Sequence, residues 1–152
     1  MTPDLALPSD WYYWPEDQVW ANVHDDGSAT VGITQLGIQL SGEIYMCRAK
    51  SLGTEVAQGG TVAVVELAKA IVAVKSAVAG TVIERNETLA DQPWRVHRDP
   101  YGKGWIARLK LKDFKADEPQ LLRGAAAVAA MQQYAREHER EFIPATTPGQ
   151  SA

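Results

Sequence analysis

The stretch VAVVELAKAIVAVKSAVAG, from Val62 to Gly80, is the most apolar part of the chain, and Lys69 stands near its middle. A bilayer span, one half-wet strand and a pair of strands would each place that charge differently. A span would have to carry Glu66, Lys69 and Lys75, and a charge near a bilayer centre costs roughly 2.5–3.5 kcal/mol. Val and Ala return too little to offset that, so the segment does not cross a membrane. A single strand of this length would far exceed the usual run of about 5–6 residues. Two strands joined near Lys69 each have a normal length. Val62 and Val64 then oppose Ala63 and Val65, while Val72 and Val74 oppose Ile71 and Ala73. Both strands are apolar on both faces, the pattern expected inside a sandwich. Lys69, between the small Ala68 and Ala70, falls at the tip with its amine accessible.

The same reading extends from Trp11 to Lys112 as short strands separated by turn signals. Asp26-Gly27 precedes the β-prone ATVGI and marks a hairpin. EIYMCRA is a strand candidate, and Gly53 and Gly59-Gly60 bracket two short β segments. AVAGTVIERN turns at Gly80 and continues as a strand. Asp99-Pro100-Tyr101-Gly102 suits a type I turn, with Asp first, Pro second and Gly last. Short, regular strands of this kind predict a mainly β sandwich or barrel.

After Asp113 the composition shifts to Ala, Gln, Glu and Arg, all good helix formers. Val128, Met131 and Ala135 recur at helical spacing beside Tyr134, which predicts a helix over about 121–140 docked on its own domain. One domain is expected over 10–140. Residues 1–9 read as a mobile lead-in and 141–152 as a disordered tail.

A net charge of −4 leaves no clustered basic surface for nucleic acid or an anionic membrane. The single cysteine, Cys47, excludes a disulfide-stapled scaffold. Its place in a strand reads as a small buried hydrophobe. MTPDLALPSD carries no Lys or Arg, which argues against a secretory or transit leader and for a cytoplasmic protein. His24, His97 and His138 show no metal-ligand spacing, and His97 reads as support for a turn. YGKGW lacks the third glycine of a dinucleotide fingerprint. Trp11, Trp14 and Trp20 read as core or cover at one end of the β structure. No nucleophile has an evident base partner, so no enzyme active site is expected.

On these residues alone Lys69 is either a solvated lysine at a hairpin end or a site of chemistry. Longer strings bear on that choice: ATVGIT at 29–34, GTEV at 53–56, VVELAKA at 64–70, SAVAGTVIERNETL at 76–89 and DPYGKGW at 99–105. In these the chain resembles the H protein of the glycine cleavage system over about Trp11–Lys112. That resemblance implies a flattened β-barrel, or barrel-sandwich hybrid, of the biotinyl/lipoyl-attachment type with a C-terminal helix. It implies a non-catalytic carrier whose lipoate is attached covalently to Lys69. It also implies that the attaching enzyme recognises Glu66, three residues before the lysine, and Gly80, eleven after. Biotin is not expected, because Lys69 lacks the flanking methionines usual for biotinylation.

The chain departs from the family pattern at QLGIQLSGEIYMCRAKSLG (35–53), where Gly42-Glu43-Ile44 remains but the usual Leu-Pro turn is missing. Leu67 and Ala68 replace the family's Ser and Val before the lysine. With YYWPEDQVW, VAVKS and HRDPYG, these departures are similar to the lipoate-binding protein of bacterial sulfur oxidation. The favoured expectation is therefore carriage of sulfane sulfur to a heterodisulfide-reductase-like complex. The alternative is aminomethyl carriage between glycine decarboxylase and aminomethyltransferase. Either implies a lipoate ligase or lipoyl transferase and a dihydrolipoamide dehydrogenase as partners. A reading of another class is an unmodified protein–protein interaction module.

Overall fold

A computed structural model describes residues 7–138. The tail at 141–152, the last two residues of the expected helix and most of the lead-in lie outside the described residues. In chain order the strands are β1 (Tyr12–Trp14), β2 (Val19–Val23), β3 (Ser28–Ile33), β4 (Met46–Ala49), β5 (Glu55–Val56) and β6 (Thr61–Glu66). They continue as β7 (Ile71–Lys75), β8 (Gly80–Arg85) and β9 (Ala107–Leu111). The helices are α1 (Gln35–Ser41), α2 (Arg95–Arg98), α3 (Phe114–Asp117) and α4 (Gly124–Glu137). A six-stranded sheet runs β1-β2-β3-β9-β8-β5 and a three-stranded sheet runs β4-β6-β7, every pair antiparallel. The sheets do not close into one barrel. They meet over a shared core that includes Val19, Val31, Val62, Val65, Val78, Val82 and Leu109, as expected of a barrel-sandwich hybrid.

A second apolar cluster lies under α4. Tyr13, Trp20, Leu36, Ala127, Met131 and Ala135 are buried together there. Trp20 can lie flat because Gly32 sits beneath it. A Cβ at Gly32 would come within 2.6 Å of the indole. The indole Nε1 donates to the Ile33 carbonyl at 3.0 Å, so the burial leaves no polar group unsatisfied. The helix docks on its own domain as expected, but through Ala127, Met131 and Ala135. Val128 is only half-buried. Burying Met131 contributes about 1.5–3 kcal/mol and its sulfur also accepts from Gln18 Nε2 at 3.3 Å.

Three readings are corrected by the structure. The segment after ATVGIT contains α1, for which the sequence signal was a cap and not a period. Thr34 Oγ1 accepts from the Gly37 N–H at 3.0 Å, and Gly42 at φ 76° ends the helix. Gly80 is not the turn but the first residue of β8; the chain bends at Ala77–Val78 as it passes from the smaller sheet to the larger. The paired strands are indeed apolar on both faces, yet they are not wholly enclosed. Ile71, Val72 and Ala73 of β7 are all exposed, because β7 is an edge strand of the smaller sheet.

Candidate functional site

The β6–β7 hairpin is held in register by Val65↔Val72 and Glu66↔Ile71. Its reversal is closed by the Leu67 N–H donating to the Ala70 carbonyl at 2.8 Å. Lys69 therefore stands inside a four-residue turn, as the strand lengths predicted. Ala68, Lys69 and Ala70 are all exposed. Lys69 makes no hydrogen bond or ion pair to any described residue, so its amine stands open to solvent.

The base of the hairpin is much firmer than its tip. Ser76 is fully buried, accepts from the Gly59 N–H and donates its own N–H to Gly60, each at 2.8 Å. Its hydroxyl donates to the Val78 carbonyl at 2.6 Å. The buried Asp117 carboxylate accepts from the Ala79 N–H at 2.8 Å. Gln58 Nε2 donates to both Ala77 and Asp117 carbonyls, at 3.0 and 2.9 Å. The bond from Ala79 to the Asp117 carboxylate is charge-assisted and so stronger than a neutral one, and it ties the chain after the hairpin to α3. Sequence reasoning missed Ser76, Gln58 and Asp117. Their partners are backbone groups distant in sequence, and no local pattern signals that.

Glu66 is the last residue of β6 and is exposed, so it is presented at the same end of the hairpin as Lys69. Gly80 is not brought to that end. It is buried in the larger sheet, paired with Val56 of β5 and Leu111 of β9. A Cβ there would lie 3.0 Å from the Lys110 carbonyl carbon and 3.1 Å from the Leu109 Cβ. The backbone of β9 thus approaches too closely for any side chain at this point of β8.

Around the lysine the surface is apolar and unpaired. On one face Ile71 follows Glu66 across the strand pair, and it is 68% exposed. Val72 and Tyr45 are 43% and 56% exposed. Tyr45 reaches the tip because its N–H donates to the Glu66 carbonyl at 2.8 Å. A core-like composition left in water beside an accessible amine marks a surface that another protein can cover.

The remaining candidates have structural places. Cys47 is buried in β4, and burial pushes its thiol up to about 12, so it carries no thiolate to react at neutral pH. His97 Nε2 accepts from the Ile44 N–H at 3.0 Å, bracing the approach to β4. His24 Nε2 lies 2.8 Å from Thr30 Oγ1. No group of three or more His, Cys, Asp or Glu suited to a metal occurs among the described residues. No helix among them is long and apolar enough to cross a membrane.

A covalent acyl group of extended shape fits this arrangement. The donor is an exposed amine, its neighbours in the turn are methyl groups, and no side chain blocks the approach. The family model described as Glycine cleavage H-protein matches residues 11–134. The chain is 41% identical over 138 residues to glycine cleavage system H protein 2 of Aquifex aeolicus, covering 91% of this chain and 84% of that one. It is 42% identical over 125 residues to the glycine cleavage system H protein of Marinobacter nauticus, covering 81% and 92%. The crystal structure of a glycine cleavage system H protein from Mycobacterium marinum superimposes with a TM-score of 0.68 at 24% identity. That match covers 88% of this chain and 99% of the other, and it is a likeness of fold.

Proposed function

The chain belongs to the glycine cleavage H-protein family, non-catalytic carriers that hold lipoate on a lysine, and we propose that its attachment point is Lys69. The observation that carries this reading is the amine itself: exposed, unpaired and placed at the tip of a two-strand hairpin whose base is clamped. Glu66 at the same tip supplies a carboxylate for an attaching enzyme to recognise. Gly80 supports attachment by letting β8 and β9 pack, which fixes the frame from which the hairpin projects. Acylation needs the amine to lose a proton. Its lone pair then forms the amide bond while the group activating the lipoyl carboxyl departs with the bonding electrons. Bound there, lipoate supplies a dithiolane that opens and closes by thiol–disulfide exchange and so carries a group between enzymes.

The protein's own contribution is positional. A firm base and an exposed tip present one arm to several partners in turn, which raises its effective concentration at each. Ile71, Val72 and Tyr45 offer apolar surface that those partners bury. Each relative above is described as a glycine cleavage protein, which favours aminomethyl carriage between glycine decarboxylase and aminomethyltransferase over the sulfur carriage expected from the departures at 35–53. A lipoate ligase or lipoyl transferase loads the lysine, and dihydrolipoamide dehydrogenase reoxidises the arm. None of these relatives is described as a partner of a heterodisulfide-reductase-like complex.

Intact mass of the protein purified from its own host, with a peptide map across Val65–Gly80, tests the proposal. A lipoyl increment on Lys69 is expected. An unmodified chain from cells that lipoylate their other carriers would replace the carrier with an interaction module. Extra sulfur atoms on the arm would restore the sulfur-oxidation pathway.

A further inference from the structure

β7 is the last strand of the smaller sheet, and its far side is open. The phase of the ladder decides which backbone groups stand there. The Glu66 carbonyl accepts from the Tyr45 N–H at 2.8 Å, and the Val62 carbonyl from the Lys50 N–H at 2.9 Å. Glu66, Val64 and Val62 therefore turn their backbone groups toward β4. Glu66 and Val64 meet Ile71 and Ala73 as pairs that exchange no hydrogen bond. Ser76, beyond the strand, donates inward to Gly60, which sets Lys75 in the same phase as Ile71 and Ala73. The N–H and C=O of these three residues point away from β6, and none has a hydrogen-bond partner among the described residues.

Natural sheets blunt such an edge with a proline, a bulge or a charge along the strand. β7 reads IVAVK: it has no proline, and its one charge, Lys75, sits at the base end. The irregularity of the β6–β7 pair falls on β6, between Thr61 and Ala63. The exposed side chains of β7 are Ile71, Val72 and Ala73, all apolar. Its residue order is also symmetric about Ala73, with a valine on either side. Turned end over end, the strand meets its own pattern.

We propose that β7 pairs with β7 of a second copy of this chain, antiparallel, about a two-fold axis at Ala73. Ile71 then stands opposite Lys75 of the second copy, Ala73 opposite its own counterpart, and Lys75 opposite Ile71. Each pair exchanges two backbone hydrogen bonds across the axis. The two alanines leave room for close approach. On the inner face Val72 lies against Val74 of the second copy, which takes a half-exposed side chain out of water. On the outer face Glu66, Ile71 and Lys75 of the second copy form one row. Two strand spacings put that lysine roughly 10 Å from Glu66 at Cα, a distance the two extended side chains together span. The lysine stem covers Ile71 on the way, and the symmetry repeats the ion pair on the other side. An axis at Val72 would instead set Lys75 against Lys69 in the turn, a like-charged pair. Pairing at Ala73 makes one continuous sheet and covers Ile71 and Val72. Self-pairing and the docking of an enzyme on that surface therefore exclude each other. The contact needs no group on Lys69, so it stands apart from the carrier reading.

Analytical ultracentrifugation of the full, unmodified chain at physiological salt tests the proposal. Between about 10 µM and about 1 mM the mass should rise from one chain toward two, with Kd on the order of 0.1 mM. Ala73→Lys and Ala73→Glu each change an exposed side chain, and circular dichroism verifies that the fold is kept. Either variant alone sets like charges against each other at the axis and should weaken the dimer at least about tenfold. An equimolar mixture of the two sets opposite charges there and should restore the dimer to within about threefold of the parent. That recovery is specific to a two-fold axis at this residue. A parent chain that stays single at about 1 mM overturns the proposal. So does a dimer that either variant leaves intact, or a mixture that remains single chains.

Discussion

Replacing Gly80 by Ala separates two reasons for a glycine eleven residues after the lysine. If the glycine matters because a modifying enzyme touches it, Gly80→Ala leaves the fold alone and slows lipoylation. If it matters because β8 and β9 pack across it, the fold must yield first. The geometry favours the second. Gly80 is buried, and the added methyl would lie 3.0 Å from the Lys110 carbonyl carbon and 3.1 Å from the Leu109 Cβ, with the Lys110 oxygen nearer still. The obstruction is mainly backbone in a paired strand, which cannot rotate away. Overpacking of this kind costs about 1–3 kcal/mol. The lower entropy of the unfolded alanine chain returns about 0.4–1 kcal/mol, since φ at Gly80 is not in the left-handed region. The midpoints of the two ranges leave a net loss of about 1.3 kcal/mol. For a chain of this size each kcal/mol moves Tm by about 2–4 °C, so Tm should fall by about 3–5 °C in a thermal melt followed by circular dichroism. The initial lipoylation rate, measured well below that Tm, should stay within about twofold of the parent, a span of roughly 0.4 kcal/mol. A Tm equal to or above that of the parent, or a rate that collapses while Tm holds, refutes the packing explanation.

Lys69→Arg keeps the charge and removes the acylable amine. It should abolish the lipoyl mass increment in intact-mass spectra while changing stability by less than about 0.5 kcal/mol, and a surviving increment would place the arm elsewhere. Ile71→Asp should fold normally, because the side chain is 68% exposed, yet lower kcat/KM for loading by glycine decarboxylase about tenfold, or roughly 1.4 kcal/mol. An unchanged value would remove Ile71 from the docking surface. Cys47 predicts a pH effect. Its folded thiol lies at about 12 against an ordinary 9.0, raised by burial. The neutral thiol is shared by both states below pH 9, and above it only the unfolded chain releases the proton. Stability from this group is therefore complete below about 9.0 and is lost as pH rises toward about 12, at up to about 1.4 kcal/mol per pH unit. Urea midpoints between those limits should fall less steeply for Cys47→Ala; parallel slopes would show that the thiol does not titrate this way.

Much of the fold was legible because β structure writes its signals locally. The Asp26-Gly27 turn, the Asp99–Gly102 turn and the two apolar runs of β6 and β7 each depend on a few adjacent residues. The C-terminal helix was legible for the same reason, through its alanines and its stripe. Its stripe was misassigned by one residue at Val128, because Ala127 carries too little apolar surface to be recognised as the contact. α1 was missed because its boundaries come from the Thr34 cap and the turn at Gly42, while Gly37 and the two Gln residues obscure any helical period.

The site divides along the same line. Sequence by itself determined that a lysine stands between two short apolar strands, in family strings that nominate it for acylation, because strand length and turn position are local quantities. Only the tertiary structure decided that β7 is an edge strand with Ile71 and Val72 left in water, since exposure depends on which strand comes next in a sheet. Tertiary packing alone also moved Gly80 from the expected turn to the β8–β9 contact, and it set Asp117 and Gln58 against the base of the hairpin. Those roles rest on backbone atoms brought within a few ångströms from distant parts of the chain, and distance in space is not written in the order of residues.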